Sequence, residues 1–454
     1  MTQTVSGKRA RGTSHRAPSR RSFLTAASKA TVALGGLGLP MSQLMALQSG
    51  SALPPKDTAV IQIWLGGGIS QHESWDPKPE ASSAVRGPWG TIPTGHPGVR
   101  FCELLPLQAK MTDKFVIIRS FRHVVGDHGG GTTICATGRR AAGHPSFGSV
   151  AAKLHGANGF GIPSYVQFKP VTNRNPAFQL NFNAQFLGGS YNPFEILGDP
   201  NSESFNIPDL ELAQGVTASR MTERQSLVGG LDRLARFADT NSEVASLDYF
   251  QRSALELLTS QRTREAFDLS LEDPKVRDRY GRHRWGQSAL MARRLVEAGV
   301  TFVTINTAPD SILWDIHGGE AGVVGDTMQQ LNGRMDQLVT ALITDLYQRG
   351  LDKRVLLVVW GEFGRTPIIN PRAGRDHWPN VGSLLLSGGG FRMGQVLGAS
   401  DDVGGEPTER PISPQDVLAT MYRHLGIDPR QHIYTLDDRP IPILEEGELI
   451  HELV

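Results

Sequence analysis

Short apolar runs recur along this chain, each ending at a glycine or a polar loop, with amphipathic stretches between several of them. They read "AVIQIWLGGG" from Ala59, "FVIIRS" from Phe115, "VTFVTIN" from Val300, "RVLLVVW" from Arg354 and "SLLLSGGG" from Ser383, with "SYVQF" from Ser164 as a further candidate. Runs this short, apolar on both faces, suit strands buried in a parallel sheet. Between them, Trp285, Ala289, Ala292 and Val296 share one helical face, and Gly299 supplies the stop. Leu331, Met335, Leu338, Leu342 and Leu346 form a second stripe ending at Gly350, and "SPQDVLATMYRHLG" opens a capped helix at Ser413 or Pro414. Alternation of this kind predicts an α/β fold, a sandwich with a mostly parallel central sheet. Residues of about 170–284 break the pattern, first loop-like and then charged and helical. They are expected to form an insertion or cap over one edge of the sheet.

In such a sheet ligands bind where the strands end, and that is where the chemistry-bearing residues fall. His72, Glu73 and Asp76 follow the first run; His123, Asp127 and His128 follow the second. Asp315 and His317 come after "VTFVTIN", and Glu362, Arg365, Asp376 and His377 come after "RVLLVVW". Any one Asp–His pair also has a structural use, as a helix cap or a buried ion pair. Four clusters at the strand ends of one sheet have the composition of a hydrolytic metal site, with Zn, Mn, Mg or Ca as the divalent candidates. Arg365 would then suit an anionic oxygen of the substrate. "GGG" after the first run lacks the Lys and Ser/Thr of a phosphate loop and the spacing of a dinucleotide fingerprint, which sets a nucleotide site aside. No G-x-S-x-G elbow is present.

Charge and the leader bear on where such a protein works. Residues 1–56 hold eight basic and no acidic residues, so the remainder carries 38 basic against 45 acidic, a formal −7 that does not favour nucleic-acid binding. "SRRSFLTAASK" places Arg20 and Arg21 ahead of an apolar run, the pattern of a twin-arginine signal peptide over residues 1–52. The expectation is a periplasmic or secreted protein, residues 53–454, that engages the twin-arginine export machinery and has no stable membrane span in its mature form. Cys102 and Cys135 could pair or pack separately; small buried hydrophobes is the expected role.

The set "GGGISQHESWDPKP", "GDHGGGTTICATGRR", "YNPF", "DRYGRHRWGQSALMARRLVEAGVTFVTIN", "WDIHGG", "GEFGRTP" and "GRDHWPN" resembles the bacterial secreted family called domain of unknown function 1501, grouped with the alkaline phosphatase and sulfatase superfamily. The resemblance implies an α/β/α sandwich with metal at the strand ends: Glu73, Asp76, Asp127, His128, Asp315, His317, Glu362, Asp376 and His377 are the ligands to consider. It also implies a nucleophile loop in "DHGGGTTICATGRR". Counting back nine from Thr137 lands on His128, where the superfamily carries Ser, Thr or Cys, and the formylglycine signature is missing. Glu362 is followed by Phe363 where the superfamily has an Asp–His pair.

The expected function is therefore an exported metal-dependent hydrolase of phosphate or sulfate esters, acting on an anionic ester or a sulfated or phosphorylated saccharide. His128 either ligates the metal while a metal-bound water attacks, or is itself the nucleophile. The alternative is a non-catalytic binding or scaffold relative of the same fold.

Overall fold

The first strand, β1 (Ala59–Trp64), is buried at all six positions because both faces of the sheet are covered. Ile61 and Ile63 point into one core and Val60 and Trp64 into the other, the period of two that a pleated strand imposes. The computed structural model describes residues 57–159, 161–169, 182–207, 260–307 and 314–454. The leader, residues 170–181 and most of the charged helical stretch lie outside the described residues.

Seven further strands join β1: β2 (Val116–Phe121), β3 (Tyr165–Phe168), β4 (Phe194–Ile196), β5 (Phe302–Asn306), β6 (Val355–Trp360), β7 (Gly382–Gly388) and β8 (Gln395–Leu397). The order across the sheet is β8-β2-β7-β6-β1-β5-β3-β4. β7 runs antiparallel to both β2 and β6, while every other pairing is parallel. The mostly parallel sheet expected from the apolar runs is what the chain forms.

Helices cover both faces. On one side α5 (Arg284–Ala298) and α6 (Asp326–Gln348) bury Leu290, Leu295, Leu331, Met335, Leu338 and Leu342 against Ile61, Val303 and Leu357. On the other, α1 (His128–Thr137), α2 (Phe147–Leu154) and α7 (Pro414–His424) bury Ile134, Val150, Val417 and Met421 against Val60, Phe302 and Leu356. Each fully buried Leu, Ile or Met contributes about 2 kcal/mol; the stripe expected on α6 is among them, and on α5 Leu290 and Leu295 join the expected Trp285, Ala289, Ala292 and Val296 in this core.

Pro55–Val454 forms one unit, and the described parts of the expected insertion are built into it. β4 extends the sheet beyond β3. α3 (Gln261–Phe267) and α4 (Pro274–Tyr280) pack along α5. Cys102 and Cys135 are both free and buried. Among the described residues no helix is long and apolar enough to cross a membrane.

Candidate metal centre

"DHGGGTTICAT", expected as a loop, is for the most part a helix. Asp127 caps α1, its side chain accepting from the Gly130 amide at 2.8 Å, and Gly138 closes the helix in the left-handed conformation. The cap and stop residues were visible in the sequence; three successive glycines, each costing about 1 kcal/mol in a helix interior, concealed them. One reason for the glycines is spatial. A Cβ on Gly131 would stand 3.2 Å from Cβ of Glu362, so α1 packs directly on the loop leaving β6. His128 thereby becomes the first helical residue, delivered to the carboxyl edge of the sheet.

The loops after β5 and β6 and the segment entering β7 bring the remaining groups. Ligand atoms of His128, Asp315, His317 and His377 all lie within 4.8 Å of one another, a group that can hold a metal ion. Nε2 of His128 is 3.2 Å from Asp315 Oδ2; Nε2 of His317 and of His377 are 2.8 and 3.1 Å from Asp315 Oδ1. The two latter nitrogens are themselves 2.9 Å apart.

Each ring is also held from behind. Nδ1 of His128 donates to Glu362 Oε1 at 2.7 Å, Nδ1 of His317 donates to Asp376 Oδ1 at 2.7 Å, and Nδ1 of His377 donates to the Gly126 carbonyl at 2.8 Å. A neutral imidazole has one N–H. If that proton is spent on Nδ1, all three Nε2 lone pairs face inward, toward each other and toward a carboxylate. Protonating all three instead would crowd three cations together. A divalent cation at the focus satisfies the lone pairs and the carboxylate at once, and carboxylate- or carbonyl-held histidines are the usual support of metal ligands. The donor set therefore fits a metal ion. Side-chain exposures of 10 to 29 % leave the group open to a ligand.

Without the cation, a proton on His128 serves in its place, because two carboxylates favour the charged ring. Burial alone would raise the Asp315 carboxyl, but hydrogen bonds from His128 and His377 and the Arg365 charge hold it well below the usual carboxylate range. Burial works to lower His128, and its bonds to Asp315 and Glu362 override this, pushing it up to about 9. Asp376 is lowered by its bond to His317.

Several expected residues play other parts. Arg365 does not face substrate: it is fully buried and its guanidinium is spent on Asp315 (2.6 Å), the Gly67 and Gly68 carbonyls and the Arg375 carbonyl. It fixes Asp315. Glu73 is not in the cluster, because Arg375 engages it in a fully buried pair at 2.6 Å and Ser70 donates to its other oxygen. Asp76 stands apart with Lys78, Arg119 and Ser400, and Asp127 is the helix cap. Glu362 and Asp376 stand behind histidines rather than within the 4.8 Å group. His72 donates to the Val403 carbonyl, and burial, then the Arg375 charge, holds it at about 3. His123 contacts the Glu362 carbonyl and is likewise lowered by burial.

Two contributors escaped the sequence. Gly67, at φ +110°, donates its amide to Glu362 Oε1 at 2.8 Å, and a Cβ there would lie 2.5 Å from the Asp315 amide. The glycine run after β1 is thus a place of close backbone approach. Gly126 supplies a carbonyl, which no side-chain pattern announces. Phe363 lies against the rings of His377 and His128, at 4.5 and 5.4 Å between centroids, and forms an apolar wall.

A layered, mostly parallel sheet with three histidines and a carboxylate at its carboxyl edge defines an α/β/α protein with a candidate metal centre. The chain belongs to the family described as protein of unknown function (DUF1501), whose model matches residues 57–454. No curated protein sequence matches it. Similar solved structures include the PsFucS1 sulfatase from Pseudoalteromonas sp., at 11% identity and TM-score 0.37, covering 95% of this chain and 75% of that one. A phosphonate monoester hydrolase from Silicibacter pomeroyi is 12% identical at TM-score 0.35, covering 81% and 73%. A protein in the alkaline phosphatase superfamily from Vibrio parahaemolyticus is 11% identical at TM-score 0.34, covering 83% and 69%. Similarity at this level carries no assignment of chemistry, which rests on the side chains themselves.

Proposed function

We propose that this chain is a metal-dependent hydrolase of phosphate or sulfate esters, built on one divalent cation held by His128, Asp315, His317 and His377. The observation that carries the reading is the convergence of three imidazole Nε2 atoms on Asp315 while each Nδ1 is committed to a different acceptor. Three nitrogens and one carboxylate favour zinc or another first-row ion over magnesium or calcium, which take oxygen-rich sets. Such an ion supplies Lewis-acid polarisation and neutralises charge building on an ester oxygen.

The chain's own groups do the rest. Glu362, Asp376 and the Gly126 carbonyl fix the three ring orientations, and Arg365 fixes Asp315. Phe363 keeps water from one side. His128 sits at the positive end of α1, where an anionic ester is favoured. Its position among the ligand atoms supports a role as ligand over a role as nucleophile. In the net reaction the oxygen of water bonds to phosphorus or sulfur, the bond to the alcohol oxygen breaks, and a proton from water passes to the alcohol. Arg20 and Arg21 support export by the twin-arginine route to the periplasm or beyond, which fractionation of tagged protein would check.

Elemental analysis of protein purified without chelator, with an assay on aryl phosphate and sulfate esters, tests the reading. One metal per chain and turnover abolished by chelation is the expected result. Stoichiometric metal without turnover of any ester would overturn the hydrolase and leave a metal-binding relative.

A further inference from the structure

Beside the cluster opens a groove of about 810 Å³, and Asp376 belongs to both: it lines the groove and accepts from His317. Ile368, Ile369, Val403 and Trp378 form its walls. Asp401 and Glu406 join Asp376 as its charged groups, and among the described residues no lysine or arginine lines it. Ile368 is 64 % exposed. Its loop is tied on either side, Thr366 donating to the Asp376 carbonyl and Ile369 to the Ala84 carbonyl, both at 2.9 Å. Ile368 and Val403, 42 % exposed, thus give the groove a pinned apolar lip.

The polar groups are equally fixed. Trp378 donates to the Gly405 carbonyl at 2.6 Å; Asp401 Oδ1 accepts from the Val403 and Gly405 amides at 3.2 and 2.7 Å; Glu406 accepts from Asn380. The three carboxylates do not converge. Among the described residues, the only group of acids and histidines close enough to share a metal ion is the His128 cluster. Negative charge is thus spread along apolar and aromatic walls. That chemistry suits a bulky cation with an apolar body, whose charge meets carboxylates and an indole face. It repels a polyanion: a saccharide bearing further sulfate groups would bring them against Asp401 and Glu406.

We infer that the groove receives the alcohol portion of the ester, and that this portion is an apolar organic cation, an alkyl- or arylammonium alcohol. The placement of the ester rests on the hydrolase reading; the groove's own preference does not. Calorimetric titration of the metal-loaded full chain with benzyltrimethylammonium and with benzyl alcohol tests the preference directly. The cation should bind about tenfold more tightly than the alcohol. Asp401→Asn with Glu406→Gln should remove most of that difference, and Trp378→Phe, which also gives up the bond to the Gly405 carbonyl, should weaken the cation further. Equal binding of both probes, or cation binding unchanged in all these variants, overturns the inference. A second arm compares kcat/KM for phosphate esters of quaternary-ammonium and carboxylated alcohols. Cation binding that obeys the variants, with no ester turned over, sinks the hydrolase and keeps the cation groove. Turnover with no preference for the cationic ester keeps the hydrolase and sinks the placement of the alcohol portion in the groove.

Discussion

His128 stands at the carboxyl edge of the sheet and His424 at its amino edge, and their exposures are almost the same, 9 % and 7 %. Their protonation nevertheless runs in opposite directions. His424 Nε2 contacts only carbonyls, those of Ala59 and Arg354 at 3.0 and 3.2 Å. Burial lowers it to about 4, and the carbonyls offset only part of that. His128 faces two carboxylates, Asp315 and Glu362, and rises to about 9. Partner charge, not burial, decides what a buried imidazole does here. At one edge it is a neutral packing group, and at the other a charged group or a ligand.

The widest expected gap between the two edges is in metal and turnover. His317→Ala or His377→Ala should strip the metal and lower ester turnover by about 10²–10³-fold, the scale of removing a main electrostatic stabiliser. His424→Ala should keep full metal content while losing stability. Metal analysis and kinetics on the three variants check this, and metal retained in both site variants would break the comparison.

Next comes pH, with opposite signs at the two edges in chelator-treated protein. His424 has a depressed folded value, so its contribution is present above about 6.5 and lost as pH falls toward 4. His128 has a raised folded value, so its contribution is present below about 6.5 and lost as pH rises through 9. Each limb is on the order of 3 kcal/mol. Urea melts at pH 4.5, 6.5 and 9 should show His424→Gln flattening only the acid limb and His128→Gln only the alkaline one. Identical profiles for both variants would refute the assignment.

Asp376→Asn should have the smallest effect. It keeps an oxygen that can accept from His317 but removes the charge, so metal affinity should fall by about tenfold with little change in melting temperature. Competition with a chromogenic chelator measures it; no change would mean that a carbonyl-type partner, of the kind Gly126 gives His377, serves His317 as well as a carboxylate.

The strands, the stripes on α5 and α6 and the cap of α7 were legible because each is a local property, fixed by neighbours a few residues away. Helix α1 was less so: its cap at Asp127 and stop at Gly138 compete with three glycines of poor helix propensity, and packing against Glu362 settles the matter. The candidate site divides in the same manner. Sequence placed His128, Asp315, His317 and His377 at strand ends, but it placed Glu73, Asp76 and Arg365 there too.

What the chain alone determines is the parallel framework and the list of acids, histidines and arginines that reach its carboxyl edge. Which of them meet was decided by tertiary structure. Arg375 could have taken Asp315 and left Glu73 for the metal; instead it pairs with Glu73 across 302 residues, and Arg365 holds Asp315 from 50 residues away. Buried charges must find partners, and the pairing that satisfies all of them depends on where separate loops come to rest.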